Sequence, residues 1–349
     1  MSASPVPPLQ HAVRRLASGA SLTSEEAREA FDAVMSGEGT VAQISALLIG
    51  LRVKGETAEE VAGAAGAMRG AMVRLPAESP DDLVDTCGTG GGAINTFNIS
   101  TAAALLAAGA GVRIAKHGNR SFTSQCGSAD VLEALGVPID VSPTVMERAL
   151  REAGLVFMFA PLMHPAMRHV GPVRRELGIP TVMNIVGPLA NPAGAGRQVV
   201  GVADARRVPL IAGALQTLGT AHALVVHGEP GMDEISPLGP TQVIEIRDGR
   251  TTEWTIDPAR FGMGVGRAEE LAGGPPADNA AAVRAVLAGD APPTARAAVL
   301  LNAAAAVFVS TSGTKNFGEA VDLARAALDA GAGLAALERL RSAFAEPAD

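Results

Sequence analysis

Apolar positions follow a helical period in the first part of the chain and gather into short runs after about residue 80. Val41, Ile44, Leu47, Leu48 and Leu51 form one helical stripe, and Val61, Ala64, Ala65, Met68 and Met72 form a second. A threonine followed three residues later by Glu or Gln precedes each: Thr40 with Gln43, and Thr57 with Glu60. Thr23 with Glu26 makes a third such box. The pairing satisfies amides that a helix start leaves without partners. Gly37 and Gly55 supply stops between the helices. The first 75 residues are therefore expected to form a small helical bundle. Nothing continues the period further, which argues against a solenoid.

From Leu83 strands and helices alternate. Leu83 to Thr86, Val112 to Ala115, Leu155 to Phe159, Val199 to Val202 and Ala223 to Val226 read as buried strands. Helices are expected over Ser100 to Ala108, around Ala129 to Leu135, from Ser142-Pro143, and over Val208 to Leu218. Such alternation predicts a largely parallel sheet covered on both faces. Val243 to Arg247 and Thr251 to Ile256, about Asp248-Gly249, predict an antiparallel hairpin. Alanine-rich helices near 278–289, 294–309, 316–329 and after Gly333 close the chain. The expected fold class is α/β: a helical N-terminal domain over residues 1–78, and a larger α/β domain over 79–349. A further segment, 164–196, holds a helix from Ala166 to Leu177. It is expected to pack in part with the helical domain and to cover the ligand-binding edge of the sheet.

Composition narrows the class of protein. At 349 residues the chain exceeds one ordinary core, and 48% hydrophobic content suits a well-buried protein. A formal charge of −8 gives no net field that draws nucleic acid or anionic lipid. Cys87 and Cys126 lie outside any CxxC or Cys/His cluster, which argues against a zinc site or disulfide framework and suits a reducing compartment. Met1 to Gly19 holds no apolar stretch of signal-peptide length. The run Ala298 to Val309, broken by Asn302, falls short of the roughly 20 residues that span a bilayer. A cytoplasmic enzyme of small molecules is the expectation.

Three polar loops fall at carboxyl ends of the expected strands, where parallel sheets collect ligands. The first runs from Cys87 through Gly88, Thr89, Gly90, Gly91 and Gly92 to Thr96 and Thr101. Side-chain-free residues let amides approach an anion, and the helix start adds positive dipole character. The hydroxyls of Thr96, Ser100 and Thr101 add donors. A Walker A loop is absent, since no Gly-Lys-Ser/Thr closes it. Gly88, Gly90 and Ala93 satisfy G-x-G-x-x-A, but the helix starts late and Lys116 stands where a ribose-binding acid is wanted. The second loop, Lys116-His117-Gly118-Asn119-Arg120-Ser121 and on to Ser128, suits a phosphate or pyrophosphate. The third, His227 to Ser236, carries the adjacent acids Asp233 and Glu234. Magnesium takes one or two carboxylates together with waters and ligand phosphates, and this pair supplies that minimum. Arg174, on the expected helix over the site, can grip a carboxylate through two parallel hydrogen bonds.

Taken together, Asp85 to Thr101, Lys116 to Ser128, His164 to Pro192 and His227 to Ser236 resemble the anthranilate phosphoribosyltransferases, from about residue 20 to the end of the chain. The resemblance implies a homodimer formed through the helical domain, and an α/β domain like that of pyrimidine nucleoside phosphorylases. It implies binding of phosphoribosyl pyrophosphate by Gly88, Gly91, Gly92, Thr96, Asn98, Ile99, Ser100, Thr101, Lys116, Asn119, Ser124 and Ser128. Magnesium would be held by Ser100, Asp233 and Glu234, and anthranilate by Gly88, Asn119 and Arg174. One departure stands out: the family's glycine loop continues with Asp-Gly, whereas this chain has Gly92-Ala93. Loop length is preserved, but one carboxylate near the metal is missing.

The expected chemistry is displacement at the anomeric carbon through a transition state of oxocarbenium character. Lys116, loop amides and magnesium would stabilise the departing pyrophosphate. Arg174 and Asn119 would restrict the attacking amine, with His117 positioning rather than acting as a required base. Two competing readings are a nucleoside phosphorylase on the same fold, for which paired acids have little purpose, and a non-catalytic nucleic-acid-binding relative, which a charge of −8 disfavours.

Overall fold

The computed structural model describes residues 6–121, 125–264 and 266–345. The chain divides into two compact units.

Met1–Val73, Pro161–Pro192 and Pro209–Gly219 make the first unit. Its helices Ser24–Met35, Val41–Lys54 and Ala58–Ala71 each begin at a closed box, Thr23 with Glu26, Thr40 with Gln43 and Thr57 with Glu60. Ser24–Met35 and Ala58–Ala71 lie so close that a Cβ on Gly63 would fall 2.3 Å from the Ser24 carbonyl oxygen. Glu60 is fully buried there; its carboxylate accepts from the Leu22 and Thr57 amides and pairs with Lys54 at 2.9 Å. A fourth helix, Pro8–Ala17, was not expected, because Pro7 at its start offers no side-chain cap. Val41 leaves the expected stripe and is 58% exposed. Helix Met167–Leu177 packs on Ser24–Met35 and Val41–Lys54. Val73 donates to the Met163 carbonyl and Arg69 to that of Leu189, tying the inserted segment down.

The second unit holds Arg74–Ala160, Ala193–Val208 and Thr220–Asp349. Its strands are β1 Val84–Gly88, β2 Ile114–Gly118, β3 Leu155–Phe159, β4 Arg197–Gly201, β5 His222–Gly228, β6 Thr241–Arg247 and β7 Arg250–Ile256. They form one sheet in the order β3-β2-β1-β4-β5-β6-β7. The first five strands in that order run parallel, and β6 and β7 are antiparallel additions. Asp248, at φ 51°, and Gly249, at φ 73°, make the hairpin turn, a backbone that Asp and Gly tolerate.

Two expectations move. Strand β2 takes in Lys116, His117 and Gly118, read from the sequence as loop, because these residues continue the parallel pairing with β3. Pro209–Gly219, expected within the α/β layer, belongs to the first unit, where a Cβ on Gly213 would meet Ala58. Helix Pro293–Val309 is buried on nearly every side, which explains its apolar run without a membrane. Among the described residues no single helix is long and apolar enough to cross one.

Candidate active site

The strand order reverses between β1 and β4: the chain leaves β1 towards β2 on one side and leaves β4 towards β5 on the other. Such a switch point opens a crevice at the carboxyl ends of the strands. Here β1, β2, β4 and β5 all end in glycine, at Gly88, Gly118, Gly201 and Gly228. Three of those glycines make room for the acid-bearing loop. A Cβ on Gly88 would lie 2.7 Å from an Asp233 carboxylate oxygen, and one on Gly201 only 1.7 Å from the Asp233 carbonyl. On Gly228 it would lie 2.5 Å from the Glu234 carbonyl. Gly88 and Gly201 are register partners, so the acids sit across the switch point itself.

The glycine loop closes onto those acids. Gly90 N–H donates to Asp233 Oδ2 at 2.8 Å, and Ala93 N–H to the Gly231 carbonyl at 2.9 Å. Thr89 N–H donates to the Gly201 carbonyl at 2.9 Å. Ser100, in the first turn of helix Ile99–Gly109, donates its N–H to Glu234 Oε1 at 3.2 Å. Two amides that suit an anion thus hold the chain's own carboxylates, as expected where amides converge at a helix start. Gly92 fits the same arrangement, because a Cβ there would lie 2.9 Å from Asp233 Oδ1.

Lys116 is the nearby cation. Only 3% exposed, its ammonium donates to the Thr86 carbonyl and lies 3.4 Å from Ser100 Oγ. Lost hydration and the adjacent Asp233 push the Glu234 carboxyl up to about 8, against the pull of Lys116. Burial also raises Asp233, with the Gly90 amide opposing. Two buried carboxyls whose affinity for protons is raised form an oxygen donor set that a divalent cation with oxygen preference fits, its charge replacing the protons.

At the end of β2, His117 N–H donates to buried Asp85, and the Asn119 carbonyl accepts from Ser128 Oγ at 3.3 Å. The Asn119 side chain is exposed and accepts from Arg120 N–H at 2.7 Å. Ser124 lies outside the described residues. Asn98 Oδ1 accepts from Asn279 Nδ2 at 2.9 Å, while its amide donates to the Cys126 carbonyl. Thr96 is half-buried and bridges to Ala272. Ile99 and Thr101 are buried, so their side chains face the core. Arg174, in the first unit, is half-buried and has no carboxylate partner among the described residues; burial lowers its pKa.

The structure therefore gathers Gly88, Gly90, Gly92, Ser100, Lys116, Asp233 and Glu234 into one group. Gly201, Asn279 and Asn302 were missed, and Gly228 was read only as part of the third loop. Gly201 carried a readable signal, a glycine closing an apolar run.

Comparisons with known proteins agree in both units. Residues 80–334 match the profile of a glycosyl transferase family α/β domain, and residues 10–72 that of the family's helical bundle domain. The chain is 50% identical over 331 residues to an anthranilate phosphoribosyltransferase of Rubrobacter xylanophilus, covering 95% of this chain and 96% of the relative. A second, from Xanthobacter autotrophicus, is also 50% identical, over 93% and 94%. The crystal structure of the enzyme from Thermus thermophilus superposes with a TM-score of 0.90 at 42% identity, covering 96% of this chain and 99% of that one. The Saccharomyces cerevisiae enzyme, solved with phosphoribosyl pyrophosphate and magnesium, gives 0.86 at 28% identity, over 96% and 97%.

Proposed function

The chain belongs to the anthranilate phosphoribosyltransferase family, and on that premise we propose how its residues divide the work. It transfers the 5-phosphoribosyl group of phosphoribosyl pyrophosphate to the amine of anthranilate, giving N-(5-phosphoribosyl)anthranilate and pyrophosphate, in tryptophan biosynthesis. The observation that carries the assignment of roles is the meeting of the glycine loop, Lys116 and the two acids at one switch point.

The diphosphate would take over the Gly90 and Ser100 amides as the two carboxylates turn to the metal, with Thr96, Asn98, Asn119 and Ser128 around it. Asp233 and Glu234, with the Ser100 hydroxyl, would hold magnesium. When bound, magnesium neutralises charge on the diphosphate as the bond to the anomeric carbon breaks. Lys116 supports the same charge development from beneath, in a setting of low dielectric where one such contact contributes about 3 kcal/mol. Arg174, a half-buried guanidinium with no carboxylate partner among the described residues, is assigned to the carboxylate of anthranilate. Asn119 orients the acceptor amine, and His117, near the end of β2, positions the loop that follows. No proton acceptor is required beyond solvent and the leaving diphosphate.

A homodimer through the helical region is proposed with it. Val41, 58% exposed, and Val53, 81% exposed, are apolar side chains that helix Val41–Lys54 would bury in such a contact. A cytoplasmic setting suits Cys87 and Cys126, which form no disulfide with each other.

Anthranilate consumption followed by its fluorescence, with phosphoribosyl pyrophosphate and with or without magnesium, tests the reading. Turnover that requires all three components is expected. Turnover unchanged by a chelator would remove the metal from the scheme.

A further inference from the structure

Asn302 breaks an otherwise apolar stretch from Ala297 to Val309, in the middle of helix Pro293–Val309, and is 3% exposed. An amide side chain in such a place is costly unless its donors and acceptor are all used. They are. Asn302 Oδ1 accepts from Ile235 N–H at 2.9 Å, and Nδ2 donates to the Ile235 carbonyl at 2.9 Å and to the Ala298 carbonyl at 2.9 Å. Ile235 lies in no strand or helix, so a side chain supplies what a neighbouring strand supplies elsewhere.

The position of that contact matters more than its energy. Ile235 N–H belongs to the peptide unit that begins at the Glu234 carbonyl. On the other side, the same carbonyl rests against Gly228, where a Cβ would come within 2.5 Å. The Glu234–Ile235 peptide is therefore clamped from both sides. Fixing it fixes the backbone of Glu234 and the direction in which its side chain leaves. Asn302 also lines a small cavity together with Glu234, Ser100, Thr86 and Cys87.

We infer that Asn302 is a positioning residue for the acid pair: a buried side-chain clamp, one peptide removed from Glu234, that aims Asp233 and Glu234 for a divalent cation. The inference rests on the assignment of those acids to the metal. Isosteric loss of the clamp frees the loop to sample other orientations, so each carboxylate spends less time in the one that binds. The effect belongs to metal affinity first and to turnover only through it.

Free Mn2+ counted by electron paramagnetic resonance, in a titration of the purified protein with saturating phosphoribosyl pyrophosphate, reads this directly. Asn302→Leu is expected to keep its far-UV circular dichroism and a cooperative melt, and to bind Mn2+ about tenfold more weakly. Asn302→Asp keeps an acceptor for Ile235 N–H but loses both donors, and should fall between Leu and wild type. A folded Asn302→Leu with wild-type Mn2+ affinity overturns the inference, since a residue of purely structural value would lower only the melting temperature. If the leucine variant does not fold, the aspartate variant decides by the same criterion. Asp233→Asn separates the two layers: weakened Mn2+ binding there with none in the Asn302 variants sinks the clamp alone. Unchanged Mn2+ binding in Asp233→Asn sinks the metal assignment and the clamp together.

Discussion

At the scale of single residues, the site is built as much by missing side chains as by present ones. Gly201 is the sharpest case, because a methyl there would stand 1.7 Å from the Asp233 carbonyl and backbone would have to move. Gly201→Ala is expected to lose about 1–3 kcal/mol of stability in urea unfolding, as overpacked sites do, and to lose turnover with it. A variant as stable and active as wild type would mean the acid loop is not seated there. Arg174→Ala is expected to raise the KM for anthranilate while leaving that for phosphoribosyl pyrophosphate near wild type. Steady-state kinetics with each substrate varied reads the difference, and an unchanged anthranilate KM removes the assignment. The acids, Lys116 and the glycine loop were legible in the sequence because charge and glycine are visible one residue at a time. Asn279 and Asn302 were not, because their meaning lies in what packs on them from elsewhere in the chain, and Gly201 showed only as a glycine closing an apolar run. Ile99 and Thr101 show the converse: a run adjoining the loop turned its side chains into the core.

Among elements, local signals were read well wherever a local interaction fixes the boundary. All three threonine boxes open helices at the expected residues. Pro8–Ala17 escaped notice because no such box announces it. Strand β2 ran past its expected end because polar residues there serve the crevice while their backbone still pairs with β3. One box does more than cap. Glu60 closes the Thr57 box, accepts Leu22 N–H from 38 residues away and pairs with Lys54, whose side chain is 11% exposed. Removing one partner of a buried pair leaves an uncompensated charge, so Glu60→Ala is expected to cost about 3–5 kcal/mol in chemical denaturation. A loss below about 1 kcal/mol, the value of a cap alone, would show that the pair contributes nothing beyond capping.

For the whole molecule, the sequence order does not match the spatial order. Pro161–Pro192 and Pro209–Gly219 return to the helical unit although both lie between strands of the sheet. Helical periodicity cannot reveal which unit a helix joins; the burial of its apolar face decides that after folding. The inserted segment also carries a pH dependence. Burial holds the His164 ring at a pKa of about 4, against 6.5 for a solvated histidine, with the Ala190 backbone opposing weakly. Because the unfolded chain takes up this proton first, the contribution to stability is complete above pH 6.5. It is lost progressively as the pH falls towards 4, by at most about 3 kcal/mol. Urea unfolding between pH 7 and 4.5 should show that slope, and His164→Gln should flatten it; an equal slope in both proteins would assign the effect elsewhere. On the proposed division of work, separate segments of the sheet's carboxyl edge jointly hold a diphosphate ester and a divalent cation. Calorimetric titration of phosphoribosyl pyrophosphate into the wild-type protein and Asp233→Asn, with and without magnesium, tests it most directly. Magnesium is expected to tighten binding at least tenfold in wild type and little in the variant, whereas equal affinity with and without the metal in wild type would contradict the account.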